Sequence, residues 1–178
     1  MLFRSTFHNN AKAGSADIKA SNLHGHGEGS TGGQISSIIF KDNSSAENAT
    51  ISLGDKLEST FGQTNSGPLS GILRFADSST ADQATIVALD NSSITFYENA
   101  STGNCSIDLK GNSTLEFKGA SDLSVRSLSS EKDCIIALPD AQLTVDYSGE
   151  DSIEIAGSMI GKENTSLLDR KSTRLNSS

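Results

Sequence analysis

The sequence predicts an all-β fold, a parallel β-helix (β-solenoid) with coils of about 21 residues, and three observations carry that prediction. Apolar residues recur at fixed offsets from a series of phenylalanines. Within each recurrence they alternate with polar residues. The composition is also too poor in large apolar side chains for a thick core: of 178 residues, 34% are hydrophobic and 5% aromatic, with no Trp, beside 31 Ser and 16 Gly. A solenoid core is one side chain across, and such a composition can fill it.

The repeat starts at Phe7, from which offsets of six, nine and eleven residues reach Ala13, Ala16 and Ile18. The same offsets from Phe40 give Ala46, Ala49 and Ile51, and from Phe75 they give Ala81, Ala84 and Ile86. From Phe96 the pattern loosens to Thr102, Cys105 and Ile107, and from Phe117 to Leu123, Arg126 and Leu128. Ile38, Leu73, Ile94 and Leu115 stand two residues before the last four phenylalanines. The Phe spacings are 33, 35, 21 and 21 residues, so 21 is the basic unit and the first two units carry insertions of about a dozen residues. Those insertions fall at about residues 21–33 and 54–70, both rich in Gly, Ser, Asn and Thr as loops are.

Each unit reads as two or three short strands with one face inward, because its apolar residues follow a period of two. Leu73/Phe75, Ala84/Ile86/Ala88, Ile94/Phe96, Cys105/Ile107/Leu109 and Leu115/Phe117 are the clearest examples. Between them stand Asp77-Ser78-Ser79, Asn91-Ser92-Ser93 and Gly111-Asn112-Ser113, residues that hydrogen-bond their own backbone in turns. Stacked units put equivalent residues into inward ladders: Leu73, Ile94, Leu115, Ile136; Phe75, Phe96, Phe117, Leu138; and Ile86, Ile107, Leu128. Small inward residues, Ala49, Ala84 and Cys105, belong where the coil is tight. After Leu138 the register is less defined, although Leu143/Val145 and Ile153/Ile155 still alternate. Six to seven coils at the inter-strand spacing span roughly 30 Å. Alternation alone does not decide strand pairing, so an antiparallel sandwich is the structural alternative; recurrence of whole offsets favours the solenoid.

The formal charge of −8 argues against nucleic-acid binding, which needs Lys and Arg against phosphate. No stretch approaches the roughly 20 apolar residues of a membrane-spanning helix. The tail Asp169-Arg170-Lys171-Ser172-Thr173-Arg174-Leu175-Asn176-Ser177-Ser178 resembles the forward-frame translation of a common short-read sequencing adapter. Residues 169–178 are therefore expected to be an artefact, and residues 1–168 a single β-helix segment of a longer protein continuing past Leu168. Without the tail's three basic and one acidic residues the charge becomes −10, which favours solubility and opposes sideways strand pairing.

The segments Phe40-Lys-Asp-Asn-Ser-Ser-Ala-Glu-Asn-Ala-Thr-Ile51 and Phe75-Ala-Asp-Ser-Ser-Thr-Ala-Asp-Gln-Ala-Thr-Ile86 resemble repeats of autotransporter passengers and related large bacterial surface adhesins. The resemblance extends over about Ser5 to Leu128. It implies a right-handed parallel β-helix, exported and held at the cell surface by its own C-terminal β-barrel beyond this segment. The resemblance is specific for architecture rather than function, since such passengers are adhesins, stalks or carriers of a separate catalytic domain; the expectation for this segment is a structural, non-catalytic role with host-cell, matrix or neighbouring-cell ligands, and no cofactor. No signal peptide is visible and Met1 lies only a few residues before the first repeat, so an internal or truncated start is expected. The alternative is a fragment of a β-helical polysaccharide lyase or hydrolase, or of a phage tailspike.

No residue carries a catalytic signature. His24-Gly25-His26-Gly27-Glu28 offers two imidazoles and a carboxylate, the donor types of a transition-metal site. The loop is Gly-rich and specifies no fourth ligand, which favours plain solvation. Cys105 and Cys134 lack a CxxC spacing, so metal or redox use is not expected. An exported compartment would permit a disulfide, but their separation of 29 residues does not stack them, which favours free buried thiols. Carboxylates such as Asp77, Asp108 and Glu116 could line a face, yet no pair at hydrolytic spacing can be placed, and the scarcity of aromatics removes platforms for sugars. Asn-x-Ser/Thr triplets begin at Asn43, Asn48, Asn91, Asn99, Asn104, Asn112 and Asn164. A composition rich in turn-forming Asn and Ser is expected to generate these without selection.

Overall fold

A computed structural model describes residues 4–20, 36–54, 70–119, 122–138, 142–147, 154–161 and 166–171. These residues form strands and turns and contain no helix. The strands are β1 (Arg4–Phe7), β2 (Asp17–Ala20), β3 (Ser36–Phe40), β4 (Thr50–Leu53), β5 (Gly71–Phe75), β6 (Thr85–Ala88), β7 (Ser93–Tyr97) and β8 (Ser106–Leu109). They continue as β9 (Thr114–Lys118), β10 (Asp122–Val125), β11 (Ser127–Ser130), β12 (Ile135–Leu138), β13 (Gln142–Tyr147), β14 (Glu154–Ile155), β15 (Ser158–Gly161) and β16 (Ser166–Lys171). Every paired strand is parallel to its neighbour. The first sheet is ordered β1-β3-β5-β7-β9-β12-β15, the second β2-β4-β6-β8-β11-β14, and the third β10-β13-β16. The antiparallel sandwich is thereby excluded.

Strand order follows directly from the repeat. Each unit contributes one strand to the first sheet and, after a corner, one to the second, and the next unit pairs with it in register. Ile38, Leu73, Ile94, Leu115 and Ile136 stand opposite one another down the first sheet, as do Phe7, Phe40, Phe75, Phe96 and Phe117. In the second sheet Ile18, Ile51, Ile86, Ile107 and Leu128 form one row, and Ala20, Leu53, Ala88, Leu109 and Ser130 another. The three ladders expected from the sequence are present, and the interior members of these rows are fully or almost fully buried. Leu143 and Val145 are buried as well, within the third sheet.

The phenylalanine rings stack with centroids 4.4, 4.9, 4.8 and 5.4 Å apart and interplanar angles of 6–19°. That spacing is the inter-strand distance itself, so the backbone ladder sets the ring stack. Each buried ring contributes roughly 1.5–3 kcal/mol through removal from water.

Between the first and second sheets the first four units make only one ladder contact, the bridge row Lys12, Ser45, Thr80, Ser101. From β10 onward this third side widens into strands. The offsets from Phe117 loosen for that reason: Leu123 lies on β10 rather than at a tight corner. Arg126 then follows the small residues Ala49, Ala84 and Cys105, and its backbone N–H still donates to the Cys105 carbonyl. Its guanidinium turns away to donate from Nε and Nη2 to Ser106 Oγ, at 3.0 and 2.8 Å.

The corners repeat as faithfully as the core. Asn9, Asp42, Asp77, Glu98 and Gly119, each two residues after a row phenylalanine, are all left-handed, with φ from 45° to 91°. Gly14, Glu47, Asp82 and Gly103, each seven residues after one, are left-handed too. A chain that must turn at the same place in every unit needs the same backbone conformation there, and Asn, Asp and Gly reach it with the least strain. The corners also satisfy buried polar groups. Ser44 Oγ donates to the Phe7 carbonyl at 3.4 Å, and Ser79 Oγ to that of Phe40 at 3.2 Å.

Residues 21–33 and most of 54–70 lie outside the described residues, but their flanks are fixed. In later units three residues link Ala88 to Ser92 and Leu109 to Ser113. The equivalent links are 15 residues from Ala20 to Ser36 and 17 from Leu53 to Gly71. Both insertions therefore leave and rejoin the same corner on adjacent units. Beyond Leu168 the β13–β16 register continues, with Asp169 opposite Val145.

Candidate functional site

The polar residues singled out by sequence fall on separate parts of the surface. Asp77 is a corner residue, and its Oδ2 accepts the Asp42 N–H at 3.2 Å; Asp42 Oδ2 in turn accepts the Asn9 N–H at 2.8 Å. These carboxylates tie one unit to the next. Asp108 points outward from β8 in the second sheet, where Oδ1 accepts Ser129 Oγ at 2.7 Å and Oδ2 lies 3.0 Å from Lys110 Nζ. Glu116 points outward from β9 in the first sheet, 3.0 Å from Lys118 Nζ. The hydrogen bond from each lysine to its carboxylate raises that lysine above its ordinary range. Asp108 and Glu116 thus lie on different sheets, and the three carboxylates do not converge on one groove.

Cys105 and Cys134 are both free and buried. Cys105 occupies the row of small residues after the second corner. Burial pushes its thiol up to about 12, against smaller opposing effects of its own backbone hydrogen bond and the Arg126 charge. Cys134 occupies a different row, following Ser36, Gly71, Ser92 and Ser113, where Sγ donates to the Gly111 carbonyl at 3.2 Å and lies 3.5 Å from Ser113 Oγ. Neither thiol is presented as a nucleophile or as a partner for the other.

His24, His26 and Glu28 lie outside the described residues. Among the described residues no group of three or more His, Cys, Asp and Glu could hold a metal ion, and no helix is long and apolar enough to cross a membrane. Six of the seven Asn-x-Ser/Thr triplets are described, and in all six the asparagine is exposed; Asn164 lies outside.

The remaining surface is the outer face of the two long sheets. On the second sheet it carries two outward rows, Thr50, Thr85, Ser106, Ser127 and Ser52, Val87, Asp108, Ser129. Ser106 and Ser129 are already engaged by Arg126 and Asp108. On the first sheet Lys118 Nζ sits 5.6 Å from the Tyr97 ring centroid. Comparison with protein-family profiles, with curated proteins and with solved structures finds no match to the chain.

Proposed function

We propose that the chain is a segment of a right-handed parallel β-solenoid that serves as a structural and interaction module of a bacterial surface or secreted protein, of the autotransporter-passenger type. The rod is non-catalytic and holds contact loops away from the cell. Its localisation is the cell surface or extracellular space, through a C-terminal barrel encoded further along. Its ligands belong to host cells, matrix or neighbouring cells.

The observation that carries this reading is the unbroken register of five stacked phenylalanines, with two insertions at one corner of adjacent units. A frame of this kind tolerates long loops at a corner because each unit is held by its neighbours. The scatter of Asp77, Asp108 and Glu116 over a corner and two different sheets supports this reading over the polysaccharide-cleaving alternative, which calls for a close carboxylate pair.

Long-read sequencing of the source locus across the Leu168 codon tests the reading directly. The expected result is an open frame running through more units of about 21 residues into alternating strands of about ten residues, the pattern of an outer-membrane barrel. A frame that stops at once, or that enters an unrelated domain, overturns the autotransporter assignment.

A further inference from the structure

We infer that this rod is an acceptor of N-linked sugar at its corners. Of the 11 asparagines up to residue 168, seven have Ser or Thr two residues on, although Ser and Thr make up 44 of 178 residues. Composition alone predicts that for about a quarter of them. The turn geometry explains part of the excess. An exposed corner residue is followed by a small buried one and then by a Ser or Thr, as also in Ser78-Ser79-Thr80 and Gln83-Ala84-Thr85; that third residue is outward in five of the six described triplets, whereas Ser45 is buried with its Oγ donating to Asp82 Oδ2. It does not explain why asparagine is the corner residue at so many of these places.

The six described acceptors share one environment. Asn43, Asn48, Asn91, Asn99, Asn104 and Asn112 are exposed, and among the described residues no hydrogen bond engages their carboxamides. The residue after each, Ser44, Ala49, Ser92, Ala100, Cys105 or Ser113, is buried at 0–3% exposure. Each asparagine is thus held at the rim by an anchored neighbour, with its carboxamide in solvent.

Their distribution leaves room for attached sugars. Asn43 and Asn99 occupy one corner two units apart, with Ser78 between; Asn48 and Asn104 occupy the next, with Gln83 between. Asn91 and Asn112, each two residues before the paired Ser93 and Thr114, stand on successive units of the remaining corner. The inter-strand spacing of roughly 4.8 Å crowds that last pair alone.

The donor is a sugar activated as a diphosphate ester, carried on a nucleotide or a lipid. The carboxamide Nδ2 bonds to the anomeric carbon, the bond from that carbon to the phosphate oxygen breaks, and the diphosphate leaves with the electron pair. The displaced Nδ2 proton passes to a base of the transferase, and nothing is oxidised or reduced.

Two arms distinguish the donors: export of the full chain in a host that transfers lipid-linked oligosaccharide, and co-expression with a cytosolic asparagine glucosyltransferase that uses UDP-glucose. Peptide mass spectrometry is expected to find sugar on Asn43, Asn48, Asn99 and Asn104 in at least one arm. At Asn91 and Asn112 one site per molecule is expected to be filled, and the far-UV β-sheet spectrum is retained. Thr50→Ala should abolish the adduct on Asn48 alone. Absence of sugar from those four sites in both arms, or its presence only on chain lacking the β-sheet spectrum, overturns the inference. Neither result bears on the adhesin reading, which the locus sequence tests separately.

Discussion

Phe96 lies between Phe75 and Phe117 with no exposure, so its removal leaves a cavity that the stacked backbone cannot close. Phe96→Ala is expected to cost about 3–5 kcal/mol in urea denaturation. Phe7, half-buried and stacked on one side only among the described residues, should cost distinctly less on the same change; equal losses would mean that the row does not bear the load described. The Cys105 thiol gives a pH signature of the same interior. Its proton is held up to about 12 in the folded chain, whereas the ordinary value is 9.0. The unfolded chain therefore releases that proton first as pH rises, so this contribution to stability is intact below about pH 9 and is lost progressively towards pH 12. Cys105→Ala fits a row that already holds Ala49 and Ala84, and should flatten the fall in denaturation midpoint between pH 8 and pH 10. An unchanged slope would place the pH dependence elsewhere.

At the scale of the elements, the strands of the two long sheets were legible because Phe40, Phe75 and Phe96 repeat with their inward partners at constant offsets. The corners were legible only as turn-rich composition. Their left-handed rows are written in residue types, Asn9, Asp42, Asp77 and Gly119 at one position, but an offset search that follows apolar residues passes over them. The third side was hidden for a different reason. In four units it is a single bridge with no alternation to read, and β10 declares itself only through Leu123 and Val125. No catalytic site was legible, and among the described residues the structure brings no candidate carboxylates or thiols together. Glu98 is the odd member of its row, an L side chain at φ 45° where Gly119 stands one unit later. Glu98→Gly should raise stability by up to about 1 kcal/mol, because relief of the left-handed strain outweighs the added freedom of the unfolded chain. A lower thermal midpoint would show that the Glu98 side chain supports the corner in some other way.

For the whole molecule, the proposed function assigns stability and recognition to separate parts of the chain. The stacked rows belong to every unit, whereas the two insertions belong to one corner of the first two. Units without them close that corner with three residues, 89–91 or 110–112, and lose neither sheet. Replacing residues 21–35 by Leu-Asp-Asn, the residues at 89–91, should therefore leave the far-UV spectrum intact and move the thermal midpoint by only a few degrees. The shortened loop lowers the entropy cost of closure slightly, by less than about 2 kcal/mol. Under the proposed function the same variant should lose attachment to cells or matrix, while Thr85→Ala on the second sheet's outer face keeps it. Retained attachment after both insertions are shortened would reassign recognition to the sheet faces and reduce the corner segments to spacers. Unfolding on replacement would show instead that the insertions help hold the first two units, a role the later units fill with three residues each.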